Sequence, residues 1–304
     1  MSDVFDLSYC TLCPRECKAD RRNGEKGICG ANDKINIARA SLHMWEEPCL
    51  SGARGSGTVF FSGCNMSCVF CQNSEISHKN KGYEVDKKRL CDIFFELKEK
   101  GAHNINLVTA GHFLPEVLDA VKSAKEQRIN IPFVYNSSGY EKATALKRAE
   151  GLIDIYLPDF KYIDEEKAKR YSKALGYPKI AKCAIDEMVR QRPKCVFDEN
   201  GILKSGVIVR NLMLPDGLSE SKKIIKYLYE KYHDNIFISI MSQYTPFGDL
   251  KNFPELRMRV KEKDYEKLID YAVKIGVKNA FIQEGSSADE SFIPDFSGQG
   301  VIKK

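Results

Sequence analysis

From residue 57 to residue 285 the sequence alternates short apolar runs with amphipathic segments of helical length. The first run, residues 58–61, is β-branched and aromatic, as buried strands are. Residues 86–100 instead space their apolar side chains three and four apart, like one face of a helix. Strands separated by helices predict a parallel sheet with right-handed crossovers. Further strands are predicted at residues 105–108, 132–135, 153–157, 207–212, 236–240 and 280–282.

Six strand–helix repeats precede the last predicted strand, which favours an α/β fold of the partial or full barrel type over a doubly wound sheet. In either fold the chemistry lies at the carboxyl ends of the strands. Polar side chains and one cysteine end or directly follow the predicted strands: Cys64, Thr109, Asn136, Asp159, Arg210 and Gln243. The sequence therefore predicts one site at this end of the sheet.

Residues 1–56 differ from the rest, being rich in Cys, Gly and charged residues without a sustained period of 2 or 3.6. We expect an irregular segment that is ordered by something other than a large core, and a metal would do this. The predicted organisation is thus a Cys-rich segment over residues 1–56, a barrel over residues 57–285 and a C-terminal tail over residues 286–304.

Composition argues against two classes of partner. The net charge of +5 is small for 47 basic and 42 acidic residues, and the basic residues are spread along predicted helices. Nucleic-acid binding is therefore not expected. No apolar run approaches the ~18–20 residues that cross a membrane, and the first residues lack the pattern of a secretory signal. The sequence predicts a cytoplasmic protein with no membrane partner.

Cysteine is the most informative residue type, because eight of the 11 cysteines fall between residues 10 and 71. In a cytosolic chain, clustered cysteines indicate metal ligands or redox groups. Cys64, Cys68 and Cys71 form a C-x3-C-x2-C loop directly after the first predicted strand. Three thiolates can bind three irons of a [4Fe–4S] cluster and leave the fourth open, whereas structural zinc normally takes four ligands. The triad predicts a reactive cluster.

This triad, with the aromatic Phe70 before its last cysteine, resembles that of the radical S-adenosylmethionine (SAM) superfamily. The surrounding chain is similar to the pyruvate formate-lyase (glycyl radical enzyme) activating enzyme branch and its uncharacterised relatives. The resemblance implies a partial (β/α)6-type barrel over residues 57–285. It also implies that the open iron chelates SAM and that a reduced cluster, fed by flavodoxin or ferredoxin, cleaves SAM to a 5′-deoxyadenosyl radical.

The resemblance further implies residues that contact SAM. The segment 109–112 (Thr-Ala-Gly-His) stands where the family has a Gly-Gly-Glu motif, and it lacks the glutamate. The segment 136–139 (Asn-Ser-Ser-Gly) stands where activating enzymes have Asp-Thr-Asn-Gly, and residues 157–161 match their Leu-Asp-Leu-Lys pattern. An ordinary surface ion pair is the alternative for Asp159 and Lys161. The implied cofactor-binding residues are Thr109, Ala110, Gly111, Asn136, Ser137, Ser138, Asp159, Lys161 and Arg210.

The N-terminal segment offers four more thiolates, at Cys10, Cys13, Cys17 and Cys29. Four ligands make a closed shell, which predicts either structural zinc or a second [4Fe–4S] cluster for electron relay. The sequence does not distinguish these two metals, and reduced free thiols are the alternative. Cys49 could replace one of the four ligands.

Three functions follow from these features. The first is activation of a glycyl radical enzyme, which rests on the resemblance. The second is radical chemistry on a small metabolite, which the changed methionine-binding motif keeps open. The third is a non-catalytic metal-binding scaffold, for example an RNA-binding protein, but the basic patch with exposed aromatics that it requires is not found. No catalytic acid or base is assigned, because a lone His43 or His112 is more often structural.

Overall fold

The computed structural model of the protein describes residues 5–282 and 294–302. Its strands are β1 (Ile35–His43), β2 (Ser56–Phe61), β3 (Tyr83–Val85), β4 (Ile105–Val108), β5 (Phe133–Ser137), β6 (Ile155–Pro158), β7 (Val196–Phe197), β8 (Leu203–Leu212), β9 (Phe237–Met241) and β10 (Ala280–Ile282). Its α-helices are α1 (Pro48–Ser51), α2 (Ser74–Ser77), α3 (Lys87–Glu99), α4 (Leu114–Glu126), α5 (Ala143–Leu146), α6 (Glu165–Ser172), α7 (Tyr177–Gln191), α8 (Leu218–Tyr232) and α9 (Glu262–Ile275).

The sheet is parallel along most of its width. Strands β2, β4, β5, β6, β8, β9 and β10 lie side by side in that order, each parallel to the next. At one edge β1 pairs antiparallel with β2 and β3 pairs antiparallel with β1, while β7 pairs with β8. Within the described residues β10 pairs only with β9, so the sheet does not close. The predicted partial α/β barrel is confirmed.

Several strands and helices begin or end at the residues that the sequence predicted. Strands β4 and β10 have the predicted residues. Helix α3 begins after Asp86, whose carboxylate accepts a hydrogen bond of 2.7 Å from the backbone N–H of Arg89, as an N-cap residue does. Helix α9 ends at Gly276, which has a φ of 97°. These bounds depend on caps and spacing that are visible in the sequence.

The expectation of an irregular segment over residues 1–56 is wrong for β1. Strand β1 pairs with β2 from Ile37 opposite Phe61 to His43 opposite Ser56, with an irregularity between Ile37 and Arg39. Such a bulge breaks the alternation of side chains. Because of this bulge, the sequence of β1 lacks the period of 2 by which strands are recognised.

Part of the C-terminal tail also lies along β1, where the backbone N–H of Ala40 donates to the carbonyl of Gln299 at 2.8 Å.

Helix α1 closes the amino-terminal end of the barrel. Since β1 runs antiparallel to β2, the chain leaves β1 beside the start of β2 and enters α1 there. Cys49 and Leu50 of α1 are buried in one cluster with strand residues that include Val134 and Ile208. The side-chain amide of Asn104 donates to the carbonyl of Leu50 at 2.8 Å. The residues that precede α1 therefore stand on the floor of the barrel interior.

The two ends of the chain pack on the barrel. Leu7 and Leu12 belong to the largest buried cluster, and so does Val301. The Nε of Arg89 in α3 donates to the carbonyl of Val301 at 2.8 Å. The predicted boundary between residues 285 and 286 lies outside the described residues. Among the helices of the described residues, none has the length and apolar content needed to cross a membrane.

Candidate active site

A cavity of about 520 Å³ lies within the barrel, and most of the sequence-predicted site residues line it. They come from the carboxyl-terminal parts of different strands and from the loops that follow them, because the carboxyl ends of parallel strands meet at one edge of a sheet. Ala110 and Gly111 are buried but are not among the lining residues. The predicted residues that do line the cavity are Cys64, Cys68, Cys71, Thr109, Asn136, Ser137, Ser138, Asp159, Lys161 and Arg210.

Each sulfur of the triad has a polar neighbour. The Cys64 Sγ accepts from the backbone N–H of Met66 at 3.4 Å, and the Cys68 Sγ accepts from the Ser172 hydroxyl at 3.0 Å. The Cys71 Sγ lies 3.2 Å from the Ser77 hydroxyl oxygen. Hydrogen bonds to cysteine sulfurs are one means by which proteins tune iron–sulfur clusters. The loop therefore provides sulfur ligands together with groups that stabilise them as thiolates.

Burial governs the charge state of these thiols. It raises the pKa of Cys64, and it raises the pKa of Cys68 to about 11, although the nearby Lys161 opposes the second shift. Buried thiolates are therefore favoured only when a metal supplies positive charge. In the described part of the chain, no three His, Cys, Asp or Glu side chains converge to hold a single metal ion. An iron–sulfur cluster does not require the three sulfurs to converge on one ion, since each cysteine binds a different iron. The three thiols therefore fit a [4Fe–4S] group.

A buried ion network lies beside the triad. The Nε of Arg210 donates to Oδ1 of Asp159 at 2.8 Å, and the Nζ of Lys161 lies 2.5 Å from Oδ2 of the same carboxylate. A second guanidinium nitrogen of Arg210 donates to the amide oxygen of Asn136 at 2.6 Å. Burial raises the pKa of Asp159, but Arg210 and Lys161 outweigh burial and leave that pKa below its usual range. Asp159 and Lys161 are only 19% and 18% exposed, so they are not an ordinary surface pair.

The loop that stands at the family's Gly-Gly-Glu motif contacts a carboxyl group from elsewhere in the chain. Thr109 has a φ of 60°, which is uncommon for a β-branched residue, and its backbone N–H donates to the Asn136 carbonyl at 2.9 Å. A Cβ atom on Gly111 would lie 2.5 Å from Oε1 of Glu141. Glu141 is 5% exposed, and burial raises its pKa to about 8. Although the motif lacks its glutamate, a buried carboxyl group lies beside this loop.

Sequence reasoning missed the residues on the floor of the cavity. Glu46 and Glu47 line it together with Trp45, all three from the connection between β1 and α1, and with His43 at the end of β1. The Oε2 of Glu46 lies 3.6 Å from a guanidinium nitrogen of Arg210. Two adjacent acidic residues before a proline are a weak signal in the sequence. Only the pairing of β1 with β2 brings them into the barrel.

The four N-terminal cysteines lie near one another, outside the cavity. A Cβ atom on Gly27 would lie 3.2 Å from the Cys17 Sγ and 3.4 Å from the Cys29 Sγ. Burial raises the pKa of Cys13 to about 12, and Cys29 and Cys10 contribute to that rise. Cys49 instead lies in the cluster that closes the barrel. A metal at Cys10, Cys13, Cys17 and Cys29 stays a prediction.

Residues 58–191 match the family model described as the Radical SAM superfamily, which confirms the resemblance to that superfamily over this part of the chain. The chain is 29% identical over 272 residues to the uncharacterized protein MJ0674 of Methanocaldococcus jannaschii, covering 87% of this chain and 74% of that protein.

Two solved structures show the fold. The FeFe-hydrogenase maturase HydG from Carboxydothermus hydrogenoformans aligns with a TM-score of 0.50 and 15% identity over 78% of this chain and 55% of that one. Streptococcus suis SuiB bound to precursor peptide SuiA aligns with a TM-score of 0.50 and 10% identity over 74% of this chain and 47% of that one. The chain therefore spans about half the length of these structures, and the likeness concerns the fold alone.

Proposed function

We propose that this protein is a radical SAM enzyme in which Cys64, Cys68 and Cys71 hold one [4Fe–4S] cluster and the adjoining cavity holds SAM. The observation that carries this proposal is that the three cysteines and the Asp159–Lys161–Arg210 network line one cavity inside a partial barrel. When bound and reduced, the cluster supplies the electron that cleaves SAM into methionine and a 5′-deoxyadenosyl radical.

The residues of the chain would orient SAM through charge and hydrogen bonds. Arg210 offers a planar set of N–H donors that suits the SAM carboxylate. Asp159 holds both Arg210 and Lys161 in place through contacts of 2.8 and 2.5 Å. The backbone carbonyls at Thr109 and its neighbours would accept the protons of the methionyl amino group, since the motif lacks its glutamate. Each of these roles belongs to a residue that the sequence predicted as a contact of SAM.

The experiment is a turnover assay on anaerobically reconstituted protein that is reduced with dithionite. The protein should convert SAM into methionine and 5′-deoxyadenosine, both measured by chromatography. Cys64→Ala should lose iron and turnover, because it removes a cluster ligand. Cys183→Ala is the matched control, since Cys183 is exposed on α7, and it should behave like the wild type. Wild-type turnover no greater than that of Cys64→Ala would refute the proposal and leave the non-catalytic scaffold.

Activation of a glycyl radical enzyme is one candidate for the substrate. Its support is the similarity of residues 157–161 to the Leu-Asp-Leu-Lys pattern of activating enzymes. The partners would be flavodoxin or ferredoxin as electron donor and a glycyl radical enzyme as substrate. The test mixes the reduced protein and SAM with a glycyl radical enzyme and looks for the glycyl radical by electron paramagnetic resonance. No radical signal despite SAM cleavage would exclude that partner.

A small-molecule substrate is the second candidate, and the shape of the cavity favours it. Helix α1 closes the floor of the cavity, so the cavity is enclosed at that end, as small-molecule sites usually are. The test incubates the reduced protein with fractionated metabolites in deuterated form and measures deuterium in 5′-deoxyadenosine. Deuterium transfer from one fraction would identify the substrate pool.

A further inference from the structure

The floor of the cavity carries two carboxyl groups that the proposed function does not use. Glu46 and Glu47 stand between β1 and α1, so the fold brings them into the barrel from its amino-terminal end. Both residues line the cavity. The side chain of Glu46 is 10% exposed and Glu47 is 8% exposed. Carboxyl groups are rarely buried this deeply without a partner.

Charge is not balanced around this floor. Among the described residues that line the cavity, Arg210 and Lys161 face the carboxylates of Asp159, Glu46 and Glu47. Asp159 contacts both cations, at 2.8 and 2.5 Å, and Glu46 lies 3.6 Å from Arg210. Two cations therefore face three carboxyl groups, which leaves one carboxyl group without a cation of its own.

Glu47 is the carboxyl group that forms no ion pair with either cation in the described structure, although Arg210 acts on it electrostatically. Burial raises its pKa, the nearby Ser239 side chain opposes that shift, and its buried Oε2 has no hydrogen-bond partner among the described residues. Buried polar atoms almost always have a partner, and an exception in a cavity calls for a ligand that supplies one. A group that carries both positive charge and N–H donors would meet this need.

The only tryptophan of the chain lines the same cavity as Glu47. Trp45 is two residues before Glu47, lines the same cavity and is 65% exposed. Aromatic faces attract organic cations, and tryptophan does so most strongly. Phe60 and Phe281 add apolar surface to the lining. A carboxyl group that shares a cavity with an indole and apolar walls is suited to an organic cation on an apolar chain.

We infer that the floor of this cavity, formed by Trp45, Glu46 and Glu47, binds an ammonium or guanidinium group of the substrate. The charged group lies against Glu47, and the apolar part of the substrate packs on Trp45. What happens to the substrate afterwards rests on the proposed function, whereas the binding of the cation does not.

The test uses n-butylamine, which carries a primary ammonium group, and n-butanol, which has the same chain without the charge. Protein made with 5-fluorotryptophan has a single fluorine label, at Trp45, because the chain has one tryptophan. In reconstituted protein saturated with SAM, n-butylamine should shift the fluorine resonance saturably and bind about tenfold or more tightly than n-butanol. Equal affinities for the two compounds would overturn the inference without any variant.

Two variants complete the test. Glu47→Gln keeps the shape and removes the charge, so the affinity for n-butylamine should fall about tenfold or more while that for n-butanol stays the same. Glu116→Gln is the matched control, because Glu116 also has a buried oxygen without a partner but lies outside the cavity. It should bind n-butylamine like the wild type. Unchanged affinity in Glu47→Gln would overturn the inference.

The same samples separate this inference from the proposed function. If adding SAM abolishes the binding of n-butylamine, SAM itself occupies the floor of the cavity, and the inference is overturned. Protein that cleaves SAM but does not bind n-butylamine contradicts only the inference. Protein that binds n-butylamine through Glu47 but does not cleave SAM contradicts only the proposed function.

Discussion

The backbone N–H of Cys64 donates a hydrogen bond of 3.1 Å to the carbonyl oxygen of Cys29. This bond joins the N-terminal cysteine segment to the loop that carries the triad. Gly63, directly before Cys64, has a φ of 92°, and a Cβ atom there would lie 2.5 Å from the same Cys29 oxygen. The triad loop can therefore adopt this conformation only because position 63 has no side chain.

Gly63→Ala should lower the free energy of unfolding and the iron content together. The left-handed backbone and the overlap with Cys29 should cost about 2–5 kcal/mol combined. Gly24→Ala is the control, because Gly24 has a φ of 87° with no atom within 4 Å of an added Cβ. It should lose only the backbone part, about 1–2 kcal/mol, and keep its iron. Urea unfolding and iron analysis measure both, and equal losses would show that the contact with Cys29 is unimportant.

Asp159→Ala should weaken SAM binding by about 1.5–3 kcal/mol while the iron content stays unchanged, because its proposed role is to hold Arg210 and Lys161 at the SAM site and not to bind the cluster. It should also destabilise the fold by about 3–5 kcal/mol, since Arg210 and Lys161 would lose a buried partner. Asp154→Ala is the control: this carboxylate lies 3.0 Å from Lys125 and is not in the cavity. Calorimetry should show an unchanged SAM affinity for the control. Equal affinity in Asp159→Ala would remove Asp159 from the site.

Ser172→Ala should shift the reduction potential of the reconstituted cluster to a more negative value. The Ser172 hydroxyl donates to the Cys68 Sγ at 3.0 Å, and a hydrogen bond to a ligating sulfur favours the more electron-rich, reduced state. A redox titration followed by electron paramagnetic resonance measures the shift. Ser123→Ala, which removes a hydroxyl bonded to the Asp119 carbonyl on α4, should leave the potential unchanged. An unaltered potential in Ser172→Ala would show that this hydrogen bond is not made to a bound cluster.

Glu116 should make the protein less stable as pH rises from about 4.5 to 7. Burial raises its pKa from 4.5 to about 7, so in this range the unfolded chain releases a proton that the folded protein keeps. The free energy of unfolding then falls by at most about 1.4 kcal/mol per pH unit. Glu116→Gln should remove this slope and exceed the wild type in stability above pH 7. Urea titrations at several pH values measure it.

Glu187→Gln gives the opposite sign and serves as the control for Glu116. The side chain of Arg190 lies 2.8 Å from the Glu187 carboxylate and holds its pKa below the usual range. This carboxylate therefore stabilises the fold at neutral pH, and its neutralisation should lower the free energy of unfolding at pH 7. A gain of stability in both variants would point to a general effect of removing negative charge.

The N-terminal cysteines should keep their own metal when the triad is removed. In a variant with Cys64, Cys68 and Cys71 all changed to Ala, elemental analysis should find residual metal, because Cys10, Cys13, Cys17 and Cys29 are separate from the cavity. Zinc would indicate a structural site, whereas iron with sulfide would indicate a second cluster. A folded variant without bound metal would show that these four residues are free thiols.

The sequence by itself determined the α/β class, the cysteine triad and the seven parallel strands β2, β4, β5, β6, β8, β9 and β10. These features depend on spacing over a few residues: apolar periodicity, helix caps such as Asp86 and the C-x3-C-x2-C pattern. Because parallel strands end at one edge, the sequence also implied that Asn136, Asp159 and Arg210 would meet. Predicting that these three residues meet in one cavity did not require knowing which distant residues contact each other.

Only the tertiary structure decided what forms the floor of the cavity. The irregularity between Ile37 and Arg39 hides β1 from a period of 2, and its pairing with β2 is a contact between distant residues. That pairing carries Glu46 and Glu47 into the barrel and leaves an oxygen of Glu47 without a partner. No local pattern encodes such a position, because burial and pairing depend on how the whole chain packs.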